Sequence, residues 1–251
     1  MHSSIPLWVK LLTIATSITV PVLGWLAFQR FARKSARSLV ASSAIFVGLW
    51  LVLALTLSAN GFFSDGPPEA LPRIAYSILP LVIGYLAFLT IPSVRTVVDE
   101  IPLHWMIGLQ LYRVVGVVFL VEWMLGVVPS EFALPAGIGD VAIGLSAPLV
   151  AALVKRDAPN ARGAAILWNV LGIADLVVAL TMGILTSPGP LHRLALENPN
   201  FAVTRLPLVV VPTIAVPFSI LLHFFSLHRL IGRVQSPLAV RSVARSASRS
   251  A

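Results

Sequence analysis

Seven apolar runs of 18 to 25 residues recur along the chain, near 7–28, 39–63, 74–91, 105–128, 136–154, 164–186 and 204–227. A hydrocarbon core of about 30 Å takes about 17 to 25 residues of helix to cross, and inside it every backbone polar group must be satisfied within the segment. The runs therefore predict an all-α integral membrane bundle of seven transmembrane helices over residues 1–228. The basic tail 229–251, rich in Ser and Arg, reads as disordered. Composition agrees, with 57% hydrophobic and 11% charged residues against about a quarter charged in soluble domains. With no Cys, disulfides, thiolate metal sites and cysteine nucleophiles are excluded, and no cofactor or metal is expected. The net charge of +8 sits in short loops and the tail, which membrane topology explains, so the expected partner is the lipid bilayer and not nucleic acid.

Thirteen of the 18 Lys and Arg residues fall in 29–38, 92–104, 155–163 and 228–251, whereas four (Lys10, Arg73, Arg193 and Arg205) lie on the other face. By the positive-inside bias this predicts an external N-terminus and a cytoplasmic C-terminus. The first run is read as a permanent anchor. Arg30, Arg33, Lys34 and Arg37 follow it, and a cleaved signal peptide would carry its charge before the apolar region.

A gapless shift of 60 residues lays VLGWLAF (22–28) over VIGYLAF (82–88) and VGLWL (47–51) over IGLQL (107–111). This suggests tandem helical hairpins of the kind found in transporters. In that register Gln110 and Arg113 stand where the other copy has Trp50 and Leu53, so polarity is placed in one copy only.

The fourth run, WMIGLQLYRVVGVVFLVEWMLGVV, contains Gln110, Arg113 and Glu122. Its thirteen Leu, Ile, Val and Phe residues contribute roughly −0.3 to −0.6 kcal/mol each to insertion, whereas one central Arg costs about +2.5 to +3.5. The span needs partners on other helices. At about 100° per residue, Arg113 and Glu122 point to opposite faces and cannot pair. Depth along the helices makes Asp175 the carboxylate closest to Arg113 and puts Glu122 and Asp140 nearer the outer side. Asp140 follows Pro135, Gly137 and Gly139, so a place in the first turns of the fifth helix, favoured by the helix dipole, is one reading. Small residues spaced by three or four beside Asp140 (Gly144, Ala147, Ala151) and Asp175 (Gly172, Ala179) let neighbouring backbones approach. The alternatives are a buried ionic lock and a polar site for a solute, ion or proton.

Pro207, Pro212 and Pro217 make the seventh helix the expected irregular element, as a hinge, as exposed carbonyls lining a cavity, or as static kinks. In the loop 187–203, Leu191, Leu194 and Ala195 could form the apolar side of a short surface helix. His104 and His223 lie toward the cytoplasmic side and could only remotely serve as a haem pair. The chain has no HExxH, GxSxG or Walker motif, and no Lys in the seventh run for a retinal linkage.

The strings GLQLYRVVGVVFL (108–120), LPAGIGDVAIGLSAPLVAAL (134–153) and LWNVLGIADLVVAL (167–180), with SPGPL (187–191), resemble uncharacterised bacterial multi-pass inner-membrane proteins. The resemblance implies a bacterial cell inner membrane and no assigned activity. The reading from the residues is a binder or transporter of a small polar or ionic solute, with a site among the fourth, fifth and sixth helices. Arg113 is the anion contact or charge partner, Asp175 and Asp140 are cation or proton sites, and Gln110 and Asn169 are hydrogen-bonding liners; Glu122 is a further candidate. The rivals are a membrane-embedded enzyme acting on a lipid through Glu122 and Asp140, and a non-catalytic structural or sensory subunit. Oligomeric state is open.

Overall fold

The structure, a computed structural model, describes residues 5–32, 37–64 and 73–232. Arg33, Lys34 and the tail from Arg233 onward, including its expected disorder, lie outside these residues. The described elements are helical throughout: α1 (Leu7–Phe31), α2 (Arg37–Ala59), α3 (Arg73–Thr90), α4 (Pro92–Glu100), α5 (Leu103–Met124), α6 (Ser130–Lys155), α7 (Ala161–Thr186) and α8 (Val211–Gly232). All but α4 are long and apolar enough to cross a membrane, which gives seven candidate spans among the described residues. Large apolar side chains such as Leu49, Leu145 and Leu149 stand more than 60% exposed on their outer faces, as helices facing lipid require.

The structure departs from the sequence reading at several points, the second span ending at Ala59 and not 63 and the fourth running from Leu103 to Met124 and not from 105 to 128. The fifth span begins at Ser130, directly after Pro129, and runs on through Pro135; Asp140 is thus about 15 Å along the helix at 1.5 Å per residue and not in its first turns. The last span begins at Val211 and not near 204, because residues 202–209 form turns around Pro207. No surface helix forms over 187–203, which is a run of turns and bends. The short helix α4 was not anticipated in the loop 92–104. It buries Val97 and Val98, with Val97 packed beside Val40 and near Trp25 and Val98 beside Phe88 and Met106.

At the centre, α6 packs along α5 on one side and α7 on the other, and α8 closes against α7, α5, α3 and α1. The core is divided along the helix axes. One apolar cluster contains Val118, Phe119, Phe132 and Ala136, and another contains Ile107, Ile143, Ala147 and Trp168. On α5 the gap between them falls at Arg113, and on α6 it falls at Asp140. The charged residues thus form a layer between two greasy plugs.

Two local departures from α geometry set up that layer. Residues Gln110–Gly116 of α5 form a 3-10 segment, in which three residues complete a turn. Gln110, Arg113 and Gly116 therefore stack in one line, and all three are buried. Across from it, α8 opens with a π-helical turn, Val211–Ala215, in which the Val216 N–H donates to Val211 O. Pro217 has no N–H for the Thr213 carbonyl. Trp50 of α2 supplies the donor instead, with its Nε1 at 2.9 Å from Thr213 O.

Candidate functional site

Arg113 is 3% exposed and spends its donors on four groups of three helices. Its Nε donates to Asp140 Oδ1 of α6 at 2.7 Å. One terminal nitrogen donates to Asp175 Oδ2 of α7. The other donates to the Gly172 carbonyl at 3.3 Å and to His223 Nε2 of α8 at 3.2 Å. A guanidinium only donates, so Nε2 of His223 accepts and its proton lies on Nδ1. That Nδ1–H donates to Asn169 Oδ1 at 2.9 Å, while Asn169 Nδ2 donates back to the Ala165 carbonyl at 2.7 Å. Every role in the chain from Asp140 to Asn169 is fixed by the arginine.

Close approach of the helices depends on two glycines in particular. A Cβ on Gly139 of α6 would run into the Asp175 carboxylate, and one on Gly172 of α7 would run into the His223 ring. The small-residue faces read from sequence around Asp140 and Asp175 do turn inward, as their spacing required.

Gln110 belongs to a second, adjoining network. Its Nε2 donates to Ser219 O at 3.0 Å, and the Ser219 hydroxyl donates to Gln110 Oε1 at 2.9 Å. Tyr112 reaches the same turn of α8, its hydroxyl within hydrogen-bond distance of the Ala215 carbonyl (3.0 Å) and of the Ser219 hydroxyl; with the Ser219 proton given to Gln110, the single phenolic proton is shared between these two acceptors. Between the two networks lies a cavity of about 40 Å³, bordered by Thr13, Thr16 and Ser17 of α1, by Tyr112 and Ser219, and by Arg113 and Asp140. A water needs about 10 to 15 Å³ on this measure, so the space suits a few waters or a small ion. On its other side Asp140 borders a second cavity of about 190 Å³, which is almost wholly apolar.

The sequence candidates thus divide. Arg113, Asp140 and Asp175 meet directly, Asn169 joins through His223, and Gln110 lies beside them. Arg113 pairs with Asp175, as inferred from depth, and with Asp140 as well. Glu122 stands apart: it is 0% exposed, and neither carboxylate oxygen has a hydrogen-bond partner among the described residues. It does not meet Asp140 at an outer surface, where a lipid acid–base pair would need it. Sequence reasoning gave His223 no part beyond a remote haem pairing with His104, and His104 takes no part in this network. It also missed Tyr112, Ser219 and the α1 hydroxyls. The signal was available as polar stripes of helical period, Ser219, His223 and Ser226 on α8 and Thr13 and Ser17 on α1, all buried.

Fold and site together define an all-helical protein with seven helices able to cross a membrane and a buried ionic layer at their middle. Residues 73–231, more than half of the chain and including the whole ionic layer, match a domain of unknown function, DUF8737, and the chain belongs to that family. No curated protein and no solved structure matches it.

Proposed function

We propose that this is a multi-pass protein of the bacterial inner membrane, N-terminus outside and C-terminus cytoplasmic, that binds and moves a small polar or ionic solute at Arg113, Asp140 and Asp175. The orientation is supported by the loop bias of Lys and Arg. The observation that carries the functional reading is the composition of the ionic layer: two carboxylates face one guanidinium, beside a hydroxyl-lined cavity. An uncompensated charge in a low-dielectric interior is costly, so the layer calls for a proton or a cation to complete it. The hydroxyls of Thr13, Thr16, Ser17 and Tyr112 offer oxygen ligands in the cavity that Asp140 borders.

The test is a thermal-shift screen of inorganic cations and small polar solutes on the purified protein, wild type against Asp140→Asn. A ligand at 100 times its Kd stabilises by about 2.7 kcal/mol, a shift that is readily read. A solute-dependent shift in the wild type that Asp140→Asn loses supports the site. If no solute shifts the wild type and the variant changes only baseline stability, the ionic layer is a packing device.

A further inference from the structure

The larger cavity beside Asp140 carries a chemical signature that the ionic layer alone does not. Its volume is about 190 Å³, and it runs from Asp140 toward the end of the bundle marked by Ile74 and Gly183. Phe119 and Phe132 line it and pack edge to face, ring centroids 5.1 Å apart. Apart from Ser77, Asp140 is the polar side chain in its wall among the described residues, and no basic side chain lines it. Asp140 has spare capacity: Oδ1 is taken by Arg113, whereas Oδ2 accepts no hydrogen bond among the described residues. The Asp140 side chain is 12% exposed, close to the 13% of Asp175, whereas the Arg113 side chain between them is 1% exposed. Apolar walls, two aromatic rings and one carboxylate oxygen without a donor are what an organic ammonium ion requires. The hydrocarbon part replaces water at the walls, the rings attract the cation through their quadrupoles, and Oδ2 accepts from the N–H. Size narrows the class, since a dry cavity of about 150 Å³ holds a benzene molecule.

Resting on the reading of the ionic layer as a solute site, we propose that this cavity binds a small lipophilic monocation, an aryl- or alkylammonium ion of about benzylammonium size, with Asp140 as its counter-charge. The excess carboxylate of the layer is then balanced by the ligand. A neutral hydrocarbon, including a lipid chain end, would fill the walls and leave Oδ2 without a partner.

The experiment is calorimetric titration of the protein in lipid nanodiscs with benzylammonium, and with toluene, benzyl alcohol and benzoate as uncharged and anionic matches. Benzylammonium should bind at least tenfold more tightly than any of the three. Asp140→Asn should weaken it at least tenfold, and Ala179→Leu, which fills the cavity without touching the ionic layer, should weaken it comparably. Toluene or benzyl alcohol binding as well as benzylammonium would overturn the proposal and make the cavity an apolar hole for lipid. Equal binding to wild type and both variants would also overturn it, by putting the ligand elsewhere. If benzylammonium fails to bind while an inorganic cation or polar solute still shifts the wild type and not Asp140→Asn, the ammonium class falls and the ionic-layer reading stands. If nothing at all binds, both fall.

Discussion

Replacing Asp140 and Asp175 by Asn, singly and together, gives the sharpest check on the ionic layer. In either single variant Arg113 keeps one carboxylate and the layer becomes a balanced pair. The loss is one charge-assisted hydrogen bond, about 1.5 to 3 kcal/mol in general, and removing the excess negative charge offsets part of it. Each single should therefore cost about 1 to 2 kcal/mol. The double variant leaves a guanidinium 3% exposed with no counter-charge, and breaking a buried pair in this way costs about 3 to 5 kcal/mol in addition to the lost hydrogen bonds. The double should exceed the sum of the singles by at least about 1 kcal/mol, whereas independent sites add to within about 0.3 to 0.5. Arg113→Leu, which strands two carboxylates, should cost about 3 to 5 kcal/mol by itself. Arg113→Leu with Asp175→Leu should recover only in part, since Asp140 is left bare; adding Asp140→Leu should complete the recovery. Equilibrium unfolding by SDS titration in mixed micelles reads all of these. Additivity of the two Asp→Asn changes would refute the shared-guanidinium argument.

Gly139→Ala and Gly172→Ala should each cost about 1 to 3 kcal/mol by overpacking, read in the same unfolding assay. Gly163→Ala, with open space at its Cβ, should be neutral or gain up to about 1 kcal/mol in helix propensity. Trp50→Phe removes the donor to the Thr213 carbonyl and should cost about 1 to 3 kcal/mol; restoring an N–H with Pro217→Ala in that background should return part of the loss. Glu122→Leu removes two buried oxygens that have no hydrogen-bond partner among the described residues, so it should leave stability unchanged or raise it, in contrast to Asp140→Leu.

The number of helices and the inward turn of Arg113 toward Asp175 were legible in the sequence because run length and depth are simple geometry. Asp140 was misjudged for an equally simple reason. Taking the helix to start at 136 and not at Ser130 misplaces a residue by about 9 Å along the axis, which turned a central carboxylate into a terminal one. The 3-10 segment could not be read, since QLYRVVG contains no Pro, and what holds Gln110 and Tyr112 in it is contact with Ser219 and the Ala215 carbonyl on a helix about 100 residues away. Irregularity in the last span was legible from its prolines; the residue that satisfies the freed carbonyl, Trp50, was not. Gln110 and Arg113 of the fourth span are enclosed, whereas much of α2 is exposed, including Leu49 and Val52.

The π-helical turn at Val211–Ala215 is also a statement about chain length. Such a turn is one residue more than an α-helix needs over the same rise. Deleting a single residue within 211–215 would let the segment close as ordinary α-helix and rotate everything upstream or downstream of it by about 100° relative to the other part. If the C-terminal part turned, Ser219 and His223 would swing away from Gln110 and Arg113 together, while the apolar character of the span stayed the same. A relative of this protein that lacks the extra residue would have to build its polar layer from a different set of α8 positions, even with Arg113, Asp140 and Asp175 all in place.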